Sequence, residues 1–355
     1  MAKTRVLVVE DSLTVRKRLL EILSADPEIE LVGEAADGKR AIELCQEHRP
    51  DVITMDMMLP VMSGLAATEF IMAYCPTPIL VVSSSINRGE LFKTYDALAA
   101  GAVDVLEKMA GTEPDGVWER RFVSTVKLVA RIRVITHPRA RLCGLGRPAP
   151  GPVPRPADSW RPGREFELVA IGASTGGPAA IVEVLRNVPS GFRLPILFVL
   201  HINEPFGTAF ADWLDGQTAR RVAYAKDGDL VASARGRVVM APAGRHLAVR
   251  EGRLCLTSDP ERHSCRPSVD VLFESIAREY GSAAVACLLT GMGKDGASGL
   301  LKVRQAGGLT IAQDEATSVI YGMPREAILL GAAMRVLPLA EIGSALAVGD
   351  SEARA

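Results

Sequence analysis

The sequence predicts two α/β domains joined by a linker. The first is expected to have a parallel sheet, and the second a doubly wound, mostly parallel sheet. A chain of 355 residues exceeds what one hydrophobic core usually supports, so two domains are expected. Short apolar strands alternate with amphipathic helical patterns on both sides of one change in composition. That change spans residues 137–164, which are rich in Pro, Gly and Arg and cannot hold a helix or a central strand. We therefore expect domains at residues 1–136 and 165–350, with 137–164 as an extended linker.

Strand-like segments and helical patterns alternate through residues 4–106. The helical patterns, such as Val15, Leu19, Ile22 and Leu23, are spaced so that one face can be buried. Successive βα units with right-handed crossovers predict a flavodoxin-like, five-stranded parallel sheet that binds ligands at the carboxyl ends of its strands. The strands are predicted at Arg5–Val9, Glu30–Ala35, Val52–Met55, Ile79–Val82 and Val103–Leu106.

Chemically active residues follow these strands. Glu10 and Asp11 end the first strand, Asp56 the third and Ser83 the fourth, and Lys108 follows the fifth. Three carboxylates at one edge would repel one another and raise their own pKa values unless a cation neutralised them. Oxygen ligands with room left for water and phosphate are typical of a Mg²⁺ site. The sequence therefore predicts such a site at Glu10, Asp11 and Asp56.

This first stretch resembles the receiver domain of two-component response regulators. The resemblance is carried by Glu10-Asp11-Ser12, by Asp56 with the run from Leu59 to Gly64, by Ser83 and by Lys108. It implies that Asp56 accepts a phosphoryl group, that Glu10 and Asp11 hold Mg²⁺, that Ser83 is the switch hydroxyl and that Lys108 pairs with the phosphoryl group. Two residues depart from the family pattern: Met109 stands where proline is usual, and Val105 replaces the common switch aromatic.

In the second domain, Ser174 lies in a glycine-rich turn, Gly172 to Pro178, between a strand predicted at Leu168–Ile171 and a helix predicted at Ala179–Leu185. Glycines permit a tight turn and the close approach of a substrate. The helix N-terminus offers free N–H groups to a developing oxyanion. The pattern fits an exposed nucleophile, but also a generic tight turn or a phosphate-binding loop.

Two further apolar runs end in residues that can complete a catalytic group. Leu194–Leu200 is followed by His201, and Ala283–Leu289 leads within six residues to Asp295. Because the carboxyl ends of parallel strands share one edge, we expect Ser174, His201 and Asp295 to meet there as nucleophile, general base and orienting carboxylate. Their order along the chain matches none of the common serine-hydrolase orders, so an α/β-hydrolase fold is not expected.

Other interpretations of these residues stay open on sequence alone. His246, in a Gly/Pro-rich turn, and His263, in a polar loop, are alternative bases, although loop histidines are usually solvated. Asp295 equally fits a turn or the N-cap of the helix that contains Leu300 and Leu301. A dinucleotide-binding loop is disfavoured, because Ser174 occupies a glycine position of that fingerprint and His201 an acidic one.

Composition argues against several classes of function. A formal net charge of −1 gives no reason to expect a nucleic-acid partner, and no apolar stretch approaches the length of a membrane span. The N-terminus begins a strand, with no signal-peptide pattern. The 6 cysteines lack CxxC pairs and predict reduced thiols in a cytoplasmic protein, neither a disulfide framework nor a zinc site. Cys143 and Cys265, in predicted loops, are expected to be the reactive ones.

A receiver, a linker and then Gly-Ala-Ser-Thr-Gly-Gly together resemble the chemotaxis response-regulator protein-glutamate methylesterases, the CheB family. The resemblance implies a Ser174–His201–Asp295 triad, an oxyanion hole to which the backbone N–H of Met292 contributes, and no cofactor for ester hydrolysis. The start of the His201 segment, Asn203-Glu204, departs from the family. The other matching segments are Ala241 to His246, Arg266 to Asp270, Leu289 to Gly296 and Val319 to Pro324.

The same resemblance implies a function. It is phosphorylation-activated hydrolysis of glutamate methyl esters, with release of methanol, together with glutamine deamidation. The implied substrates are cytoplasmic helices of methyl-accepting chemoreceptors, and the implied phosphodonor is a CheA-type histidine kinase. The protein is expected in the cytoplasm, with no direct membrane insertion. The alternative is a receiver-controlled adaptor that uses a degenerate esterase domain for docking.

Overall fold

A computed structural model describes residues 3–84, 87–109, 116–132, 134, 165–202, 204 and 206–347. The chain divides into two compact units, Met1–Gly144 and Leu145–Ala355, and each is described by itself. The predicted linker, residues 137–164, lies outside the described residues, and so does Cys143 within it.

The first unit is a five-stranded parallel sheet in the order β2-β1-β3-β4-β5, which confirms the predicted receiver-like topology. The strands are β1 Thr4–Val9, β2 Ile29–Ala35, β3 Val52–Met55, β4 Ile79–Ser83 and β5 Asp104–Glu107. The helices are α1 Leu13–Ser24, α2 Gly38–His48, α3 Gly64–Tyr74, α4 Arg88–Ala99 and α5 Val117–Val129. Each strand starts and ends within one residue of its predicted bounds.

The local sequence explains these elements. Strands β3 and β4 are buried along their whole length and are mostly apolar, as expected for parallel strands covered by helices on both faces. Helix α1 buries Leu19, Ile22 and Leu23 on one face. Helix α2 begins at an N-cap, Asp37, whose carboxylate accepts a hydrogen bond from the Arg40 N–H.

The second unit contains a seven-stranded sheet in the order β14-β13-β12-β6-β7-β9-β8, in which every neighbouring pair is parallel. A separate antiparallel hairpin pairs β10 with β11. The strands are β6 Leu168–Ala173, β7 Ile196–Leu200, β8 Val222–Tyr224, β9 Val238–Met240, β10 His246–Arg250, β11 Arg253–Thr257, β12 Ala284–Leu288, β13 Leu309–Gln313 and β14 Arg335–Leu337. The helices are α6 Gly177–Arg186, α7 Phe210–Gln217, α8 Val269–Tyr280, α9 Ala297–Gln305, α10 Met323–Leu329 and α11 Leu339–Leu346.

The strand order places a topological switch point at β6. The chain proceeds from β6 to β7 on one side, and later returns to β12 on the other side of β6. In open α/β sheets, ligands bind in the crevice beyond the carboxyl ends of the strands at such a point. The residues that directly follow β6, β7 and β12 therefore line the expected binding edge.

Three predicted boundaries in the second unit shift by two residues. Strand β6 continues past Ile171 to Ala173, and the other two shifts have simple reasons. Helix α6 begins two residues before the predicted Ala179, because Pro178 occupies the first turn, where its missing N–H costs nothing. Strand β7 begins at Ile196, after Pro195, and the Pro195 carbonyl still accepts a hydrogen bond from Val169. No helix in the described ranges combines the length and the apolar character needed to cross a membrane.

Candidate active site

Ser174 directly follows β6, at the turn into α6. Its N–H donates to the Thr290 carbonyl at 3.0 Å, and its carbonyl accepts from the Gly177 N–H at 2.6 Å. Gly176 takes a φ of +77° in this turn and packs against the Val319 side chain. A residue with a Cβ would be strained in that backbone conformation. The strand-to-helix turn is thus held by hydrogen bonds and holds Ser174 at the sheet edge.

His201 follows β7 on the neighbouring strand. Its N–H donates to the carbonyl of Ala173 at 3.0 Å, and the strands pair Ala173 with Leu200. His201 is therefore the next residue in register with Ser174, on a strand about 4.8 Å away. Adjacent placement on parallel strand ends is what the sequence pattern predicted for these two residues.

The loop after β12 flanks Ser174 on its other side. A Cβ at Gly291 would lie 2.7 Å from the Ser174 Cβ, so only glycine permits this close approach. The loop is fixed by Thr290, whose N–H donates to Gln313 Oε1 at 2.8 Å and whose hydroxyl donates to the Thr175 carbonyl at 3.0 Å. These contacts set the start of the segment that ends at Asp295.

Asp295 is buried, and its carboxylate accepts four hydrogen bonds. His201 Nε2 lies 2.9 Å from Oδ2. The Ser268 hydroxyl donates to Oδ1 at 2.7 Å, and the N–H groups of Val269 and Asp270 donate at 2.7 and 3.1 Å. The last three donors form the N-terminus of α8, whose partial positive charge favours a carboxylate. Asp295 is thus held in its charged form and in one orientation.

The same contacts set the protonation states of the His201–Asp295 pair. Burial lowers the pKa of His201, but the hydrogen bonds to Asp295 and Cys265 outweigh burial and raise it to about 9. Burial raises the pKa of Asp295, yet the His201 hydrogen bond and charge, with Ser268 and Val269, hold it below its ordinary value. At neutral pH the resting pair is an imidazolium beside a carboxylate. His201 must lose a proton before it can act as a base.

The Ser174 hydroxyl makes no hydrogen bond to His201 among the described residues. Because Nε2 faces Asp295, Nδ1 is the ring nitrogen left to accept a proton, and Cys265 Sγ lies 3.7 Å from it. Catalytic hydrogen bonds are often long before substrate binds and shorten in the complex. A cleft of about 620 Å³ opens beside the pair, and Cys265 and Met292 are among its lining residues.

The structure shows where the two alternative bases lie and which helix Asp295 contacts. His246 is not a solvated turn residue: it begins β10, is buried, and its ring bonds the Ser268 N–H and the Pro260 carbonyl. His263 bonds Asp270 Oδ2 at 3.1 Å. The N-cap of α9 is Gly296, so Asp295 does not cap that helix. Its carboxylate instead accepts hydrogen bonds from the N-terminus of α8.

A second cluster lies at the carboxyl edge of the first unit. Lys108 Nζ lies 2.8 Å from Glu10 Oε2 and 3.0 Å from Asp56 Oδ2. Ligand oxygens of Glu10, Asp11 and Asp56 all lie within 4.8 Å of one another. Burial is the main effect that raises the pKa of Glu10, and the Asp56 charge adds to it despite Lys108. Burial lowers the pKa of Lys108, but the hydrogen bonds and charges of Glu10 and Asp56 outweigh burial. The pKa is therefore raised above its ordinary value, and the amine is charged.

These oxygen donors fit a hard divalent cation in kind and in spacing. Ser83 is buried at the end of β4, and its hydroxyl donates to the Ser84 carbonyl at 3.3 Å. The Lys108 N–H donates to the Ser83 carbonyl at 3.0 Å, which holds the strand ends of β4 and β5 together. Ser83 and Lys108 are therefore neighbours at the edge that carries Asp56.

Comparison with known proteins identifies the family. Residues 169–346 match the family model described as CheB methylesterase, and residues 6–114 match the response regulator receiver domain. The chain belongs to the CheB methylesterase family. This confirms the resemblance inferred from the sequence motifs.

Similar proteins cover nearly the whole of this family member. The protein-glutamate methylesterase/protein-glutamine glutaminase of Nitrosospira multiformis is 44% identical over 345 residues, 96% of this chain and 95% of the relative. A second relative of that name, from Pseudomonas aeruginosa, is 42% identical over the same shares of the two chains. The crystal structure of the Thermotoga maritima CheB methylesterase catalytic domain is 37% identical, covers 52% of this chain and 98% of that chain, and gives a TM-score of 0.49.

Sequence reasoning missed two side chains of this CheB-family site. Ser268 was noted only as part of a matching motif, although a serine before an apolar helical pattern is a signal for a helix start. Its bond to Asp295 spans 27 residues of sequence and has no local signature. Cys265 was expected to be reactive, but its position at His201 Nδ1, 64 residues away along the chain, had no sequence signal.

Proposed function

We propose that this protein hydrolyses glutamate methyl esters on the cytoplasmic helices of methyl-accepting chemoreceptors and releases methanol. The single observation that carries the proposal is the position of Ser174 beside a His201–Asp295 pair at the carboxyl ends of adjacent strands. A hydroxyl, an imidazole and a buried carboxylate in this order are the groups that acyl transfer through a serine requires. The family of the chain gives the ester as the substrate class.

In the proposed reaction, Ser174 Oγ attacks the ester carbonyl while neutral His201 accepts its proton at Nδ1. Asp295 keeps Nε2 protonated and stabilises the imidazolium. The backbone N–H of Met292, on the loop beside Ser174, donates to the tetrahedral oxyanion. His201 then protonates the leaving methoxide, which departs as methanol, and an ester of the receptor glutamate with Ser174 remains. Water attacks that ester with His201 as base again, and the free glutamate and Ser174 are restored.

Glutamine deamidation follows the same path with a different leaving group. The tetrahedral adduct of a glutamine side chain expels ammonia after protonation by His201, and hydrolysis of the acyl-enzyme again yields glutamate. An amide nitrogen is a poorer leaving group than methoxide, so the proton held by His201 matters more in this reaction. We therefore propose both activities for the one site.

The first unit is proposed to switch this activity as a receiver. Asp56 accepts a phosphoryl group from a CheA-type histidine kinase, and Glu10, Asp11 and Asp56 hold Mg²⁺. When bound by these residues, Mg²⁺ would supply positive charge against the phosphoryl oxygens. Lys108, which already pairs with Asp56, then bonds the phosphoryl group, and Ser83 responds as the switch hydroxyl. We propose domains at residues 1–136 and 165–350, joined by the linker 137–164. We also propose a cytoplasmic location, because the proposed kinase and receptor helices are found there.

The test is methanol release from methylated receptor membranes, with and without acetyl phosphate. The parent chain is expected to release methanol faster with the phosphodonor. Asp56→Asn should retain the basal rate and lose the response, and Ser174→Ala should lose methanol release while Asp56 is still phosphorylated. Loss of both properties in Ser174→Ala would indicate misfolding of the variant.

A serine-reactive fluorophosphonate probe separates this function from the adaptor alternative, which the comparisons do not favour. The parent chain and Asp56→Asn should label at Ser174, and Ser174→Ala should not. A folded parent chain that fails to label and releases no methanol would support the adaptor. Asn203, at one departure from the family, lies outside the described residues, whereas Glu204 is exposed.

A further inference from the structure

We propose that His201 and Cys265 form a binding site for a soft divalent metal ion, with Zn²⁺ as the representative ligand. Cys265 Sγ lies 3.7 Å from His201 Nδ1. With Zn–N about 2.0 Å, Zn–S about 2.3 Å and a tetrahedral angle, two such ligands stand about 3.5 Å apart. The two side chains therefore already lie close to the separation that a shared zinc ion needs.

The opposite side of the imidazole supports the same assignment. His201 Nε2 lies 2.9 Å from the buried carboxylate of Asp295. A histidine that binds metal almost always donates a hydrogen bond from its other ring N–H to a carboxylate, a carbonyl or water. This hydrogen bond fixes the ring orientation and raises the basicity of the ligating nitrogen. Asp295 is thus placed as the outer partner of a carboxylate–histidine–metal arrangement, while the cleft beside Nδ1 supplies solvent for the remaining positions.

Cys265 is held in place by a tight turn. Arg262 and Cys265 exchange backbone hydrogen bonds of 3.1 and 3.0 Å across His263 and Ser264. Arg262 is anchored in turn by two hydrogen bonds, of 2.8 and 2.7 Å, to the Glu274 carboxylate. The thiol is half-buried beside the imidazole and lines the cleft, so an ion can reach it from solvent.

Metal binding at this site is balanced by proton release. As the ion binds, the Cys265 thiol releases one proton to solvent and forms the sulfur–metal bond. The protonated Nδ1 of His201 releases a second proton to solvent, and its lone pair forms the nitrogen–metal bond. If the proposed function holds, an occupied Nδ1 cannot accept the Ser174 proton, so the ion inhibits ester hydrolysis reversibly. Mg²⁺ is a hard cation that prefers oxygen ligands and is not expected to compete here.

Binding is tested first without reference to activity, by titrating the full chain with Co²⁺ and following the thiolate-to-metal absorption band. The parent chain and Cys255→Ser, in which another half-buried thiol is removed, should show the band. Cys265→Ser and Cys265→Ala should lose it. Absence of the band in the parent chain, or its persistence in both Cys265 variants, overturns the proposal, since the thiolate would then be absent or elsewhere.

Inhibition is tested second, by methanol release as Zn²⁺ is added, each variant being compared with its own metal-free rate. The Zn²⁺ concentration for half-inhibition should rise about tenfold or more in Cys265→Ser and stay unchanged in Cys255→Ser. Equal inhibition of the parent chain and Cys265→Ser would contradict the site. A parent chain that shows the cobalt band but has no esterase activity would instead contradict the proposed function and leave the metal site supported.

Discussion

The single carboxylate of Asp295 hydrogen-bonds both to the N-terminus of α8 and to the imidazole of His201. Oδ2 lies 2.9 Å from His201 Nε2 and 2.7 Å from the Val269 N–H, while Oδ1 accepts from the Ser268 hydroxyl at 2.7 Å. A carboxylate can accept at both oxygens, whereas an amide can accept at only one. The orientation of His201 and the start of α8 therefore depend on the same two oxygen atoms.

Asp295→Asn is expected to lower the kcat of methanol release about 10⁴-fold, by loss of the correct imidazole tautomer. The amide NH₂ group must replace either Oδ1, which accepts from Ser268 and the N–H of residue 270, or Oδ2, which accepts from the Val269 N–H and faces His201. Each choice leaves a buried donor unpaired. The measurement is kcat together with the free energy of unfolding, which should fall as well. A variant with near-parental kcat would show that Asp295 does not orient the base.

Ser268→Ala removes one of the four partners of Asp295 and leaves the imidazole contact intact. Because the site is fully buried, the unfolding free energy should fall by about 1–3 kcal/mol, as for a buried acceptor that loses its donor. As a positioning residue, Ser268 should affect kcat more than KM. Urea unfolding and steady-state kinetics check this, with Ser233→Ala, an exposed serine, as the matched control. Equal effects of the two substitutions would remove Ser268 from the site.

The sheets could be predicted from sequence because their strands are buried on both faces. Short, mostly apolar runs such as those of β3, β4 and β7 are typical of parallel strands in an α/β protein, and the residue after each strand lies at the carboxyl edge of the sheet. The same reasoning placed His201 and Ser174 on adjacent strand ends. Periodicity and chain order were sufficient there, because parallel sheets leave little freedom at that edge.

Long-range polar contacts could not be predicted in this way. His246 was expected to be a solvated turn residue, yet it is buried and its ring accepts the Ser268 N–H at 3.1 Å. The partner lies 22 residues away, on the far side of the β10–β11 hairpin. Cys265 lies beside His201 on the Arg262–Cys265 turn, and that turn is anchored on Glu274 of α8. Such contacts depend on how elements pack, which no local pattern encodes.

The pH dependence of ester hydrolysis should follow the proton on His201. Its pKa is raised to about 9, so the base is protonated below that pH, and kcat/KM of the unphosphorylated chain should rise as pH increases toward 9. Cys265 contributes to the raised pKa, so Cys265→Ser should move the rising limb to lower pH and increase the relative rate at pH 7. The check is a pH–rate profile of both proteins. A limb that stays in place would exclude the thiol as a cause.

Lys108→Ala should destabilise the chain at low Mg²⁺ and make its stability strongly Mg²⁺-dependent. Lys108 is the cation between the buried carboxylates of Glu10 and Asp56, and removing one partner of a buried ion pair costs about 3 kcal/mol. Added Mg²⁺ should bind the carboxylates that have lost their lysine partner. By mass action it should then raise the free energy of unfolding, more in the variant than in the parent chain. Denaturant unfolding with EDTA or with Mg²⁺ measures both effects, and Lys39→Ala, an exposed lysine on α2, is the control. If Mg²⁺ stabilised Lys108→Ala no more than Lys39→Ala, the three carboxylates of this edge would not form the cation site.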